Sequence, residues 1–551
     1  MAAGGLIGIG ARRVAASLLL LAAVAGCTDD DGGPDRSTTS MEIPDEPVDG
    51  GRVRLGLPGP LVLDPLAASA GSPAELMVAE LLHDGLTALG PDGEVLPGLA
   101  RSWTAEDSFQ TWTVRLDAAA SFTDGDPVTA EAVVTSLTRV AAAGPGSLAS
   151  LRLEAVAGYD ELVAGEADGL AGLSVEDDVT LRIQTTSPLA TLPAVLAAPE
   201  LGIVDPSNVE VLEAVEELGE VDLDELALSG RWAPEAVDGG ALTVARRTGA
   251  DGHLDEVVLE PFDDPADAYE AFEDGAVDWA LVPGSAYDDA IEAHGDEHVA
   301  PFHAEVFLGL RVAGPPLDAG PLRTAIAAAI DREALVADVY ADVADPLATV
   351  VPAGVPGHDP DACGDAVACE HDPEAAEAAL AEAYPDGDVP TVAIDFDDSD
   401  RQTRLAERVA DDLDAVGIPT QLRPRPRDEY RAFVSSGGQQ LFSLGWIGGY
   451  VSPDAYLAPL FGSVADDNLT GASSPPIDEA LAAARATDDA SAAEAAWRRA
   501  EQQILSTAVV VPLAQFRTQA VAADRVQDLA HRVDGTVDWA AVWVADAAGD
   551  G

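Results

Sequence analysis

The sequence predicts an α/β fold with at least two lobes, and three observations lead to this prediction. Stretches of alternating apolar and polar residues, typical of β-strands, recur along the chain and are separated by stretches with helical spacing. Strands that alternate with helices are typical of α/β folds. Hydrophobic residues make up 47% of the 551 residues, and a single core stops growing at about 250–300 residues.

The periodicity predicts individual elements. In Arg401–Val416 the residues Leu405, Val409 and Leu413 recur at every fourth position, and Gly417 follows as a helix stop. The predicted helices are Pro321–Tyr340, Pro373–Ala383, Arg401–Val416, Ile477–Ala486 and Ala492–Leu505. The predicted strands are Arg52–Leu57, Thr111–Leu116, Thr180–Gln184, Ala241–Arg246, Glu256–Glu260, Thr391–Asp395 and Val509–Leu513.

The charge of the chain excludes several functions. The sequence has 98 acidic and 29 basic residues, a formal net charge of −69, and no lysine. Without lysine there is no phosphate-binding P-loop and no Schiff base. Nucleic acid is not expected as a partner, because its binding depends on neutralised phosphates. The acid excess indicates a salt-rich environment, where self-repulsion is screened; a GC-rich genome would explain the arginines but not the acids.

The N-terminus predicts export. Arg12 and Arg13 precede an apolar run, Val14–Val24, that is too short to span a bilayer and ends in small residues before Cys27. This arrangement resembles a bacterial lipoprotein signal, in which the cysteine is lipidated. We therefore expect a signal peptide at 1–27 and an extracytoplasmic protein, lipid-anchored through Cys27 to the outer face of the cell membrane. A plain secretory signal is the alternative. Residues 28–50 are acidic and rich in Gly and Pro, which predicts a disordered tether.

Two further cysteines, Cys363 and Cys369, lie in a loop rich in Asp, Gly and Pro. Outside the cytoplasm such a pair usually forms a disulfide, which we predict here. Zinc is the alternative, because His358 and His371 are near and zinc takes four ligands. The 8 histidines are scattered singly, so neither a metal site nor a cofactor is predicted.

Several short motifs follow one another in a fixed order between about residues 52 and 515. They are Leu63-Asp64-Pro65, Glu80–Leu86 with Pro97–Trp103, Trp112–Leu116, Phe122–Glu131, Gly275–Asp278, Pro321–Glu333, His371–Ala376, and Asn468–Gly471 with Asp478. In this order they resemble the family 5 solute-binding proteins of ABC transporters, which bind oligopeptides, dipeptides or nickel. The resemblance carries the expected architecture and the expected function.

The resemblance implies a type II periplasmic-binding-protein-like fold, with two main lobes joined by a hinge and a small extra lobe. Lobe I would combine the segments 50–85, 165–262 and 506–548. The small lobe would be 86–164, and the third lobe 263–505.

The segment Leu444–Leu457 resembles the family motif that lines the ligand cleft. In the peptide binders of the family, the first aspartate of that motif pairs with the α-ammonium of the ligand. Here Gly449 stands at that position and Ser452 at the second acidic one. The candidate ligand-binding residues are Trp446, Gly449, Tyr450 and Ser452. We expect a solute other than an ordinary free-amine peptide; the alternative is that a nearby acid such as Asp454 takes over the role.

The resemblance implies a receptor without catalytic residues. It would bind a small solute, possibly a peptide, act as a monomer, and dock on the permease and ATPase subunits of an ABC importer. A sensory or interaction lipoprotein that keeps the fold without transport is an alternative. An extracellular hydrolase is another, but the motifs G-x-S-x-G, H-E-x-x-H and S-x-x-K do not occur in the sequence.

Overall fold

The computed structural model describes residues 43–546, apart from 215–221, 224–225, 342 and 365–368. The predicted signal peptide, Cys27 and most of the tether lie outside the described residues. Among the residues that are described, no helix has the length and apolar character needed to cross a membrane.

Strands and helices are interspersed along the chain, as the sequence predicts. The strands are β1 (Arg52–Pro58), β2 (Thr87–Leu89), β3 (Val95–Pro97), β4 (Ala100–Glu106), β5 (Thr111–Leu116), β6 (Leu173–Asp177), β7 (Thr180–Gln184), β8 (Trp232–Asp238), β9 (Ala241–Arg246), β10 (Glu256–Phe262), β11 (Trp279–Leu281), β12 (Val299–Leu310), β13 (Ala344–Pro346), β14 (Val392–Asp397), β15 (Thr420–Arg425), β16 (Leu441–Ile447), β17 (Val510–Ala522), β18 (Val526–Gln527) and β19 (Trp543–Val544). The helices are α1 (Pro73–Leu82), α2 (Ala130–Ala142), α3 (Leu148–Leu151), α4 (Tyr159–Val163), α5 (Leu192–Val195), α6 (Val209–Ala214), α7 (Pro265–Glu273), α8 (Tyr287–His294), α9 (Gly320–Ala329), α10 (Arg332–Val339), α11 (Pro373–Ala383), α12 (Asp400–Ala415), α13 (Arg427–Ser435), α14 (Asp454–Phe461), α15 (Pro475–Arg485) and α16 (Ala490–Ser506).

One long mixed sheet runs through the molecule in the order β15-β14-β16-β12-β17-β11-β1-β10-β9-β8, with β13 paired to β17. Strand β1 is parallel to β10 and β11, whereas β12 is antiparallel to both β16 and β17. Strand β17 joins the two ends of the sheet, because it pairs with β12 along most of its length and with β11 through Ala520–Ala522. A mixed α/β architecture of this kind confirms the predicted fold class.

A separate sheet, β4-β5-β7-β6, packs with α2 to α5 around its own hydrophobic core. We call these elements the small lobe. The elements from β12 to α16 are called the large lobe, and most residues of two other large hydrophobic cores belong to them. A fourth core gathers around β1, β9 and β10. The lobe boundaries deduced from the sequence stay predictions.

Two sequence predictions need correction. The predicted helix Pro321–Tyr340 is two helices, because Ile330 is extended and Asp331 caps α10 by accepting the N–H of Ala334 at 3.0 Å. The predicted strand Val509–Leu513 is the beginning of β17, which runs on to Ala522. Both errors arise where tertiary pairing decides where an element ends. The helix with Leu405, Val409 and Leu413 is confirmed, and the three side chains are buried in the core.

Candidate ligand cleft

A cavity of about 900 Å³ opens between the small lobe and the large lobe. The small lobe contributes α3, the residues just after it, and the turn at Ser187 and Pro188. The large lobe contributes α13, the end of β16, the loop after it, and parts of α14 and α15. Apolar side chains dominate its wall: Leu148, Leu151, Pro188, Val434, Leu444, Trp446, Ile447, Pro459, Val464, Leu469 and Leu481. A few polar groups in a mostly apolar wall are typical of sites for small organic ligands.

Three of the four predicted ligand-binding residues line this cavity: Trp446, Gly449 and Tyr450. Trp446 lies on β16, and its indole N–H donates to the carbonyl of Ala455 at 2.9 Å. Since that N–H is satisfied, the indole offers the cavity an apolar face. Tyr450 follows in the loop after β16 and is half-buried.

Ser452, the fourth predicted residue, is buried and is not part of the cavity wall. Its N–H donates to the carbonyl of Tyr450 at 2.9 Å, and its hydroxyl accepts the N–H of Asp454 at 3.3 Å. These bonds shape the turn that leads into α14. Ser452 therefore stabilises the loop that contributes to the cavity wall. The expectation that Ser452 contacts the solute is corrected in this respect.

Asp454 is fully buried, and both of its carboxylate oxygens have partners. Oδ1 lies 2.6 Å from Nε of Arg485, while Oδ2 accepts the hydroxyl of Tyr450 at 3.0 Å and that of Thr191 at 2.9 Å. Burial, and next the Asp454 charge, raise the pKa of Tyr450 well above its usual value, so the phenol stays a donor. A carboxylate neutralised in this way is not available to a ligand ammonium, which counts against Asp454 as a substitute for the missing acid.

The two neighbouring glycines of the loop differ in what they permit. A Cβ on Gly448 would lie 2.4 Å from the hydroxyl of Tyr456, so this position requires glycine. A Cβ on Gly449 would meet nothing closer than Cγ of Arg152, at 3.8 Å, which is ordinary contact. The missing carboxylate at 449 is therefore not imposed by lack of space.

Arg152, which the sequence did not single out, lies against Gly449. It is the C-terminal cap of α3, and its Nε donates to the carbonyl of Gly449. Its Nη1 lies 2.7 Å from Oε1 of Glu200, and the two side chains are 3% and 1% exposed. No local pattern could have revealed this contact, because 297 positions separate Arg152 from Gly449.

Further charged groups also line the cavity: Glu154, Arg431, Asp467, Asp478 and Arg485. Desolvation in the cleft raises the pKa of Glu154, and the charge of Asp467 on the opposite lobe raises it further. Asp478 is engaged, since its Oδ1 accepts the N–H of Ser463 at 2.9 Å.

Among the described residues, no cysteine or histidine lines this cavity. Cys363 and Cys369 are joined by a disulfide. In the described part of the chain no group of three or more His, Cys, Asp or Glu residues could hold a metal ion.

A mixed α/β chain with a large cavity between two lobes defines a solute-binding protein of the periplasmic type. Residues 94–468 match the family described as bacterial extracellular solute-binding proteins, family 5 Middle. The chain belongs to this family, and it is a solute-binding receptor of the ABC-transporter type.

Curated relatives match over most of their length. The periplasmic oligopeptide-binding protein OppA of Escherichia coli (strain K12) is 25% identical over 460 residues, which cover 80% of this chain and 82% of OppA. The periplasmic murein peptide-binding protein MppA of the same strain is 24% identical over 473 residues, or 83% of this chain and 86% of MppA. The glutathione-binding protein GsiB of Salmonella paratyphi A is 24% identical over 459 residues, or 79% and 83%.

Solved structures share the fold. The unliganded open form of MppA superposes with a TM-score of 0.79 at 21% identity, covering 91% of this chain and 99% of MppA. The clavulanic acid biosynthesis oligopeptide binding protein 2 gives a TM-score of 0.74 at 21% identity, covering 92% and 97%. Both likenesses extend over nearly the whole described body.

Proposed function

We propose that this protein is the extracytoplasmic receptor of an ABC importer and captures a peptide-like or other small organic solute in the interlobe cavity. The observation that carries the proposal is the cavity itself, about 900 Å³ in volume and walled by Trp446 and Tyr450. The names of OppA, MppA and GsiB, which bind peptides or glutathione, support a peptide-like solute. Closure of the two lobes would bury the solute, and the closed form would dock on the permease.

The solute is proposed to lack a free ammonium group at the place next to Gly449. No side chain can supply a carboxylate from Gly449, and the alternative that the motif offers, Asp454, already pairs with Arg485. A buried ammonium without a carboxylate would lose several kcal/mol. The wall there instead offers the guanidinium of Arg152.

The cellular setting is proposed from the sequence. Cys27 would carry the lipid that holds the protein, as a monomer, on the outer face of the membrane, and residues 28–50 would serve as the tether. Catalysis is left out of the proposal, since the family and the relatives are binding proteins. A sensory lipoprotein is the second candidate, which the loss of both acids of the cleft motif, at Gly449 and Ser452, favours.

The experiment begins with the full-length protein purified from its native membrane. Mass spectrometry of the denatured protein identifies the bound solute, and calorimetry with that solute measures its affinity. Trp446→Ala is expected to weaken binding at least about tenfold, because a large apolar contact is lost, whereas Trp103→Ala, outside the cavity, should bind normally. Chemical conversion of the solute would contradict the proposal. Uptake of the labelled solute that needs this protein separates transport from sensing.

A further inference from the structure

The side chain of Arg152 is buried, but not all N–H groups of its guanidinium have an acceptor in the part of the protein that the structure describes. Its Nε donates to the carbonyl of Gly449, and its Nη1 faces Glu200. Nη2 carries two more N–H groups, and no acceptor for them occurs among the described residues. The side chain is 3% exposed and forms part of the cavity wall. Nη2 is not among the side-chain atoms that are closed off from solvent, so an acceptor on a ligand in the cavity can reach its N–H groups.

The electrostatic balance around Gly449 favours an acceptor over a cation. Arg152 is neutralised by Glu200, and Asp454 is neutralised by Arg485. Since the carboxylates of Glu200 and Asp454 are both paired already, an ammonium group beside Gly449 would meet the guanidinium of Arg152 with neither of them free. A carboxylate or carbonyl would find the free N–H groups of Nη2, and a guanidinium binds carboxylates in a planar geometry.

We propose that Arg152 is a specificity-determining residue that donates hydrogen bonds from Nη2 to a carboxylate or carbonyl group of the solute beside Gly449. The site thereby selects solutes whose end at this place is acylated or acidic. This inference rests on the proposed function, and it gives the chemical class of the solute.

Three forms of one probe test the selection: trialanine, N-acetyl-trialanine and N-succinyl-trialanine. Calorimetry on the purified full-length protein should give the tightest binding for the succinyl form and the weakest for the free amine. The expected difference between these two is at least about tenfold, the range of a hydrogen bond to a charged group. Equal or tighter binding of the free amine would overturn the inference.

Substitutions at Gly449 provide a matched pair. Gly449→Asp introduces a carboxylate that takes up the Nη2 donors of Arg152, so the succinyl probe should lose about tenfold in affinity. Gly449→Asn has the same shape without the charge and should leave the preference for the succinyl form over the free amine intact. Equal losses in the two variants would contradict a role for Arg152. The double variant Arg152→Gln/Glu200→Gln, which removes both buried charges, should bind the succinyl and acetyl forms alike.

A separate outcome concerns the proposed function. If no form of trialanine binds, the peptide-like solute class is wrong, and unfolding midpoints then decide the inference. Free Nη2 donors predict a higher midpoint for Gly449→Asp than for Gly449→Asn, because the new carboxylate gains a charge-assisted hydrogen bond. A midpoint for Gly449→Asp that is equal to or below that of Gly449→Asn would overturn the inference.

Discussion

Arg485 holds the buried carboxylate of Asp454 at 2.6 Å, and this ion pair stands between the cavity and the protein interior. Arg485 ends α15, Asp454 begins α14, and Thr191 binds the same carboxylate beside the small-lobe helix α5. The pair therefore links two helices of the large lobe to the small lobe. It also fixes the hydroxyl of Tyr450.

Breaking this ion pair should destabilise the protein. Arg485→Gln leaves the Asp454 carboxylate, which is 0% exposed, without its cation. The expected loss in the free energy of unfolding is about 3 kcal/mol, since an uncompensated buried charge is costly. Chemical denaturation measures it. Glu494→Gln, which breaks an exposed pair with Arg498 on α16, is the control and should cost less than about 1 kcal/mol. Similar losses in both variants would contradict the structural role of Asp454.

Stability should fall as the pH rises from about 5 to 7, and Glu501 should contribute to this fall. Burial raises its pKa from 4.5 to about 7, although its Oε1 accepts the N–H groups of Val350 and Val351. The acids Asp359 and Glu305 lie nearby. Below pH 4.5 the folded and unfolded states both hold the proton; between the two pKa values only the folded state does, so the stabilisation is lost as pH rises through the folded pKa.

Glu501→Gln tests this dependence because glutamine keeps an acceptor and never ionises. At pH 8 the variant should be more stable than the parent by up to about 3 kcal/mol, and at pH 4 the two should be similar. Unfolding by denaturant at a series of pH values measures the difference. A constant difference across the range would show that the Glu501 carboxyl does not titrate as stated.

Exposed apolar residues on both rims of the cavity should strengthen solute binding. Leu148 on α3 is 49% exposed and Val464 in the large lobe is 98% exposed, and both line the cavity. If lobe closure buries them, Leu148→Ser and Val464→Ser should each weaken binding by about 1 kcal/mol without loss of stability. Calorimetry with the natural solute measures this effect. Val175→Ser, equally exposed at 47% but outside the cavity, is the control; unchanged affinity in the rim variants would contradict closure over these residues.

Opening the disulfide should have a modest effect on stability. Cys363 and Cys369 close a small loop, with a sequence separation of 6. Loop-closure entropy predicts a loss of about 2 kcal/mol for Cys363→Ser/Cys369→Ser. Thermal unfolding with and without reductant checks the value, and the double variant should not respond to reductant. A reductant effect that persists in the double variant would point to another cause.

The features that were predicted correctly from the sequence are those that depend on local residue patterns. The spacing of Leu405, Val409 and Leu413 located α12, and the order of the short motifs led to the family. The break at Ile330 and Asp331 was missed because the apolar pattern continues through it, whereas the cap on Asp331 depends on the fold around it.

The site was predicted only in part, for the same reason. Trp446, Gly449 and Tyr450 belong to one contiguous motif and line the cavity together. Ser452 belongs to the same motif but does not line the cavity, because its hydroxyl accepts a hydrogen bond in the turn before α14. Arg152 comes from the other lobe, and no single-sequence pattern pairs residues so far apart.

A structure of the protein with its solute bound would locate the binding site and its polar contacts. We expect density in the interlobe cavity against Trp446 and Tyr450, with a carbonyl or carboxylate oxygen within about 3 Å of Nη2 of Arg152. We also expect Arg485 to keep its pair with Asp454. A solute bound outside this cavity, or an ammonium group beside Gly449 held by Asp454, would contradict this expectation.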